Sequence, residues 1–175
     1  MKGTFTPTYG VRVPFMPPPL LLTNGDLMPR STLDFATSRG SQLGVWALVT
    51  AGGPADRAAR DAFGASSLSA RFVGANRYET ATQIAEAVFA IHDTGGLVGS
   101  GAGLATGLTF PDALSATASL AVFAEPSLLT GSDQLSSATA AFLASHAGDG
   151  AYLDVFGGTR AVSDAAVSAA EAAFR

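Results

Sequence analysis

Cysteine is absent from the 175 residues, so the chain has no disulfide framework, no thiolate metal site and no cysteine nucleophile. That absence fits either side of a membrane and leaves the compartment open. Charge is scarce as well: 14% of residues are charged, and ten basic against fourteen acidic side chains leave a net charge of -4. Such a chain has no positive field to hold a phosphate backbone, which excludes DNA and RNA as partners. Even the stretch Ala113 to Ala124 is interrupted by Ser and Thr and falls short of the roughly 18 apolar residues of a membrane span. Met1 to Pro19 carries Lys2 and Arg12 but is broken by Pro7, Pro14 and Pro17-Pro18-Pro19, and it lacks the apolar run of a signal peptide. The expectation is a chain that, as it stands, neither inserts nor addresses itself.

What is present is a hydrophobic fraction of 47%, with much glycine and alanine, enough for one ordinary domain or two small ones. The chain also repeats itself. Pro19-Leu20-Leu21-Leu22-Thr23 returns as Pro126-Ser127-Leu128-Leu129-Thr130, with Asp26, Thr32 and Phe35 matched by Asp133, Thr139 and Phe142. After a two-residue slip, Gly52-Gly53 matches Gly157-Gly158, each pair following an apolar run, so the period is about 105 to 107 residues. The copies are unequal. Residues 70–175 are expected to form a complete copy and 18–69 the second half of a preceding one, behind an irregular segment 1–17. A half unit cannot bury both faces of its sheet.

Within the complete copy, Asn76, Glu79 and Thr80 precede an apolar face at Ile84, Ala85, Val88 and Phe89, which predicts a helix ending before Gly95-Gly96. A short strand Leu104 to Thr106 and a helix from Pro111-Asp112 through Ala124 come next. Pro126 stops that helix, Ser127 to Thr130 reads as a buried strand, and Ser132 or Asp133 is expected to cap a third helix running to about His146. Ala151 to Phe156 is a further strand, with Gly157-Gly158 as its turn and Ser163-Asp164 capping a helix to Ala173. Alternating strands and helices with short connections predict an α/β fold, a helix-flanked parallel sheet with Rossmann-like units. Ligands of such sheets meet the carboxyl ends of the strands, here Thr106-Gly107, Thr130-Gly131 and Gly157-Gly158-Thr159-Arg160 along one rim.

Arg71-Phe72-Val73-Gly74-Ala75-Asn76-Arg77-Tyr78-Glu79-Thr80-Ala81, Phe110-Pro111-Asp112-Ala113-Leu114-Ser115, Leu128-Leu129-Thr130 and Phe156-Gly157-Gly158, in this order and spacing, resemble the cell-wall-binding repeat 2 family. The resemblance implies a non-catalytic module, usually in tandem copies, that fastens secreted or surface proteins noncovalently to the Gram-positive envelope through anionic wall polymer or peptidoglycan-associated glycan. It implies no cofactor and no metal, a place at the cell wall or extracellular surface, and further copies of the repeat as partners, three modules packing about a pseudo-threefold axis. The apolar triplet that the family links to anchoring falls on Leu20, Leu21 and Leu22 and on Ser127, Leu128 and Leu129, with Ser127 a departure. Other departures are a single complete copy, no export signal and no attached partner domain. A fragment, a wrongly chosen start, a degenerate gene and an excised piece all remain readings of that. Function alternatives are an accessory part of an amidase-type wall hydrolase and a self-associating repeat fragment.

Candidate ligand-binding residues are Arg71, Arg77, Leu128, Leu129, Thr130, Gly157, Gly158 and Arg160, with Tyr78, Asp112 and Pro126 as structural members of the motif. Arg71 and Arg77 offer guanidinium forks suited to an acidic polymer or, equally, to an ion pair with Asp112 or Glu79. Asp112 alone is no catalytic apparatus; helix capping or an arginine partner is the simpler role. Leu128 and Leu129 read as strand core before ligand contact. Gly157-Gly158-Thr159-Arg160 either presents amides to an anion or simply turns tightly. Gly99-Ser100-Gly101-Ala102-Gly103 fits neither dinucleotide nor nucleophile-elbow spacing and reads as a flexible loop. His92 and His146 stand near helix C-termini without metal-ligand spacing, and Trp46 reads as core.

Overall fold

The computed structural model describes residues 20–43, 48–92, 101–148 and 152–175. Trp46, Gly99, Ser100 and the segment 1–17 lie outside them, and so does the side chain of His92. The described elements are α1 (Arg30–Leu43), β1 (Leu48–Ala51), α2 (Gly53–Phe63), β2 (Leu68–Phe72), α3 (Arg77–His92), β3 (Gly101–Thr106), α4 (Pro111–Leu120), β4 (Ser127–Thr130), α5 (Ser137–Ser145), β5 (Tyr152–Phe156) and α6 (Asp164–Phe174). They build two parallel sheets, β1-β2 and β4-β3-β5, in the expected α/β class. β2 straddles residues 69 and 70, so the strand opening the expected complete copy completes the sheet of the half copy.

Registers align the strand ends. Thr106 stands opposite Thr130, and Ala105 opposite Phe156, so the turns after β3, β4 and β5 do form one rim. The core lies on one face of this sheet, where Ala102, Leu104 and Leu128 pack against Ala85 and Phe89 of α3, Phe142 and Leu143 of α5 and Ala166, Ala170 and Phe174 of α6. Phe89 and Phe142 meet edge to face, 5.5 Å between centroids, and both touch the ring of His146, which also lies 3.1 Å from Glu86. α4 packs on the opposite face.

Several expected boundaries move, each for a local reason. Gly101 to Gly103 is not a loop: it is the buried first half of β3, which is therefore longer than Leu104 to Thr106. A side chain at Gly101 would strike the Tyr152 ring at 2.5 Å, and one at Gly103 would strike Leu120 and Phe156. The second helix ends at Leu120 and not at Ala124. Past it the amides of Val122, Phe123 and Ala124 reach back only three residues, and Ala124 takes φ 57 while the Glu125 amide returns to the Leu120 carbonyl, a left-handed helix stop. The third helix is capped neither by Ser132 nor by Asp133. Ser136 accepts from the Thr139 amide, because Thr130 first holds a turn by donating to the Gln134 carbonyl and accepting from the Ser136 amide. Leu20 to Thr23 forms no strand, and Leu20 and Leu22 are 83% and 72% exposed. Its counterpart β4 is held by β3, and the described part of the half copy contains no counterpart of β3 to pair with it.

Candidate functional site

A groove of about 590 Å³ opens where the two sheets meet. Its walls are Ala51 to Pro54, which turn from β1 into α2, Gly74 to Arg77, which turn from β2 into α3, then Thr80, Ala81 and Ile84 of α3, and Leu129 of β4. Two helix N-termini therefore face one space. They differ. α3 is closed by its own side chains: Asn76 accepts from the Tyr78 and Glu79 amides, and Glu79 reaches back to the Ala75 amide at 2.8 Å. α2 starts at Gly52-Gly53-Pro54 with no side-chain cap; the Gly52 amide donates to the Phe72 carbonyl and Pro54 has no N–H, which leaves the Gly53 amide at the groove.

Of the candidate residues only Arg77 and Leu129 line this groove. One guanidinium nitrogen of Arg77 donates to the Gly107 carbonyl, tying the rim of β3 to the start of α3. Tyr78 lies over the same rim, where a side chain at Gly107 would meet its ring at 2.7 Å. Leu128 is fully buried in the core, and the Thr130 hydroxyl is committed to its turn. Pro126 is buried and its carbonyl accepts from the Gly103 amide. Gly157, Gly158 and Arg160 sit at the far end of the rim, beyond the groove, where the Gly158 carbonyl starts the turn into α6 and Asp112 abuts Gly157.

Neither arginine pairs with Asp112 or Glu79. Arg71 instead grips Asp56, with Nε and Nη2 each donating at 2.6 Å. Asp56 is buried, and it also accepts from Thr50 at 3.0 Å and lies 3.9 Å from Arg60. The sequence reading missed Asp56. Its only signal was an acid in the first turn after Gly-Gly-Pro, facing inward among alanines. Hydrogen bonding from Arg71 dominates the environment of Asp56 and holds its carboxyl below the usual 3.8, against the opposing effect of burial. The folded state thus resists protonation more than the unfolded chain does. The resulting stability is complete above about pH 4 and fades as pH falls below that value. Urea midpoints should therefore show Asp56→Asn destabilising at pH 7, with the gap to the parent closing as pH falls below about 4. A gap constant with pH overturns this role.

Glu125 is the second buried acid: it accepts from the Tyr152 hydroxyl, and its other oxygen has no hydrogen-bond partner among the described residues.

The cell wall binding domain 2 pattern matches residues 71–167, more than half of the chain. The chain belongs to the cell wall binding domain 2 (CWB2) family. Among solved structures, the CWB2 chain is similar to Cwp6 from Clostridium difficile, with TM-score 0.65 and 19% identity over 84% of this chain and 22% of that one. It is also similar to Cwp8 from Clostridium difficile, with TM-score 0.53 and 23% identity over 77% of this chain and 21% of that one. At these identities the likeness is one of fold, and the CWB2 chain spans about a fifth of the length of each. A search of curated proteins gives no match. By family, then, the chain is a cell-wall-binding module, and no helix among its described residues is long and apolar enough to cross a membrane.

Proposed function

We propose that this CWB2 chain is a non-catalytic module holding a surface or secreted protein noncovalently on anionic envelope polymer, with residues 70–175 as a complete repeat and 18–69 as the rear half of another. The family match supports wall binding. The single observation that supports an anionic ligand is the groove between the sheets, where Arg77 stands beside the uncapped start of α2. A phosphate- or uronate-bearing glycan laid across it would meet the Gly53 amide and a guanidinium together with the apolar Leu129 and Ile84. One such groove binds weakly, and tandem copies multiply retention by raising local concentration.

Purified Gram-positive walls should retain the chain, and walls stripped of anionic polymer should not. Arg77→Gln is expected to lower retention by roughly tenfold, the scale of one charge-assisted contact, with the helical circular dichroism unchanged. Equal recovery from stripped walls removes the anionic ligand, and muropeptides released by the pure chain remove the non-catalytic reading.

A further inference from the structure

Arg57 stands one turn into α2, and its side chain leans back over the start of that helix, as helical side chains do. One guanidinium nitrogen, Nη1, comes to 3.2 Å from the point where a Cβ on Gly53 would lie, and Gly53 is part of the lining of the groove. A cation over the first turn opposes the positive end of the helix dipole, so this place suits an arginine only with an anion beside it. Asp26 supplies one. Its carboxylate accepts from Nη2 at 2.7 Å, across 31 residues of chain. It rides on a tight turn in which Asn24 and Leu27 exchange both backbone hydrogen bonds around Gly25, at φ 57. Both side chains of the pair are more than half exposed, so the bond contributes little and opens easily. The repeat does not need it. In the complete copy Asp26 is matched by Asp133, but the positions 105 to 107 residues beyond Arg57 are Val162, Ser163 and Asp164, none of them basic.

We infer that Arg57 is a second ligand-binding residue of the groove, and that Asp26 holds it as a carboxylate stand-in which the polymer displaces. The inference rests on the wall-polymer reading above. Arg57 lies beside the β1-α2 turn and Arg77 ends the β2-α3 turn, on the two sides of one groove, so a ligand engages both only if it carries more than one anionic group. That fits a chain of uronate or phosphate units and not a lone phosphate. A guanidinium fork already holding a carboxylate is ready for another carboxylate or a phosphate, which match it in shape and charge. The exchange keeps a charge-assisted hydrogen bond on Arg57 and breaks only an exposed pair, so little stands against it. Asp26 thereby sets a threshold of charge density that a ligand must exceed.

The test titrates the full chain at low salt with polygalacturonate and, separately, with polyglycerol phosphate, which tells a uronate ligand from a phosphate one. For whichever polyanion the parent binds, Arg57→Gln is expected to weaken binding by roughly tenfold, the scale of one charge-assisted contact. Asp26→Asn is expected to tighten it about threefold, the scale of an exposed ion pair, and to give no gain in a chain that already carries Arg57→Gln, because it acts through Arg57. Unchanged or weaker binding by Asp26→Asn overturns the stand-in. An equal gain in the presence of Arg57→Gln overturns it too, since removal of a repelling charge alone produces that result. Binding that falls with Arg77→Gln but not with Arg57→Gln overturns this inference and leaves the wall-polymer reading standing, whereas a parent chain that binds neither polyanion overturns both. Should a variant melt earlier than the parent, the unaltered chain decides: the carboxyl carbon resonance of Asp26 must move on saturation with polymer, and a stationary resonance overturns the proposal.

Discussion

Replacing Leu128 with alanine is expected to destabilise the chain by about 3 to 4 kcal/mol, because a fully buried leucine in the middle of a packed cluster leaves a cavity that its neighbours fill only in part. For a chain of this size that is a drop in Tm of roughly 10 °C. Leu129, one residue on, points to the other face, is half-buried and lines the groove. Leu129→Ala should cost about 1 kcal/mol or less and weaken wall retention of the folded protein. Thermal melts together with wall pull-down normalised to the folded fraction separate the two. A Leu128→Ala protein that melts like its parent yet no longer binds walls would show that the buried leucine contacts ligand after all.

Gly74→Ala is the second substitution with a large expected effect, about 3 kcal/mol, near the upper end of overpacking costs. A methyl group at Gly74 would lie 2.6 Å from the Thr80 amide nitrogen and 2.7 Å from the Glu79 carbonyl carbon, and it would also overlap the Glu79 Cβ. These are mostly backbone atoms of the first turn of α3, which cannot swing aside. The Gly74 amide also donates to the Thr80 hydroxyl at 3.1 Å, so the strain falls on the contact that fixes where α3 begins. Gly158→Ala is the control: nothing lies within 4 Å of a methyl group there, and its melting curve should fall within about 0.5 kcal/mol of the parent. Coincident melts for the two variants would show that the β2-α3 turn yields.

Local chemistry made much of the fold legible in the sequence. Ser163 caps its helix as its spacing implied, α3 begins just after Asn76 as the apolar face required, and β4 and β5 lie close to where the apolar runs placed them. Long-range partners were illegible. The local setting of Asp56 among alanines hints at burial but names no partner; it becomes a buried anchor because Arg71 arrives from the next strand. Leu20 to Leu22 and Ser127 to Leu129 read almost alike, but among the described residues only the second has a neighbouring strand, so pairing decided what composition could not. The rim of strand ends was foreseen correctly, while the groove formed where the sheets meet, which brings in Ala51 to Pro54 and Ile84 beside Arg77 and Leu129.

On the face that bears Gly101 and Gly103, β3 has almost no bulk of its own. Tyr152 leans over Gly101, and Leu120 and Phe156 close over Gly103 from a helix and a neighbouring strand. That face of the central ribbon is thus shaped like a mould, and the castings that fill it come from α4 and β5. Written out in letters, this ribbon is camouflaged as slack linker, although its fit to its surroundings leaves no room for even one added methyl at either glycine.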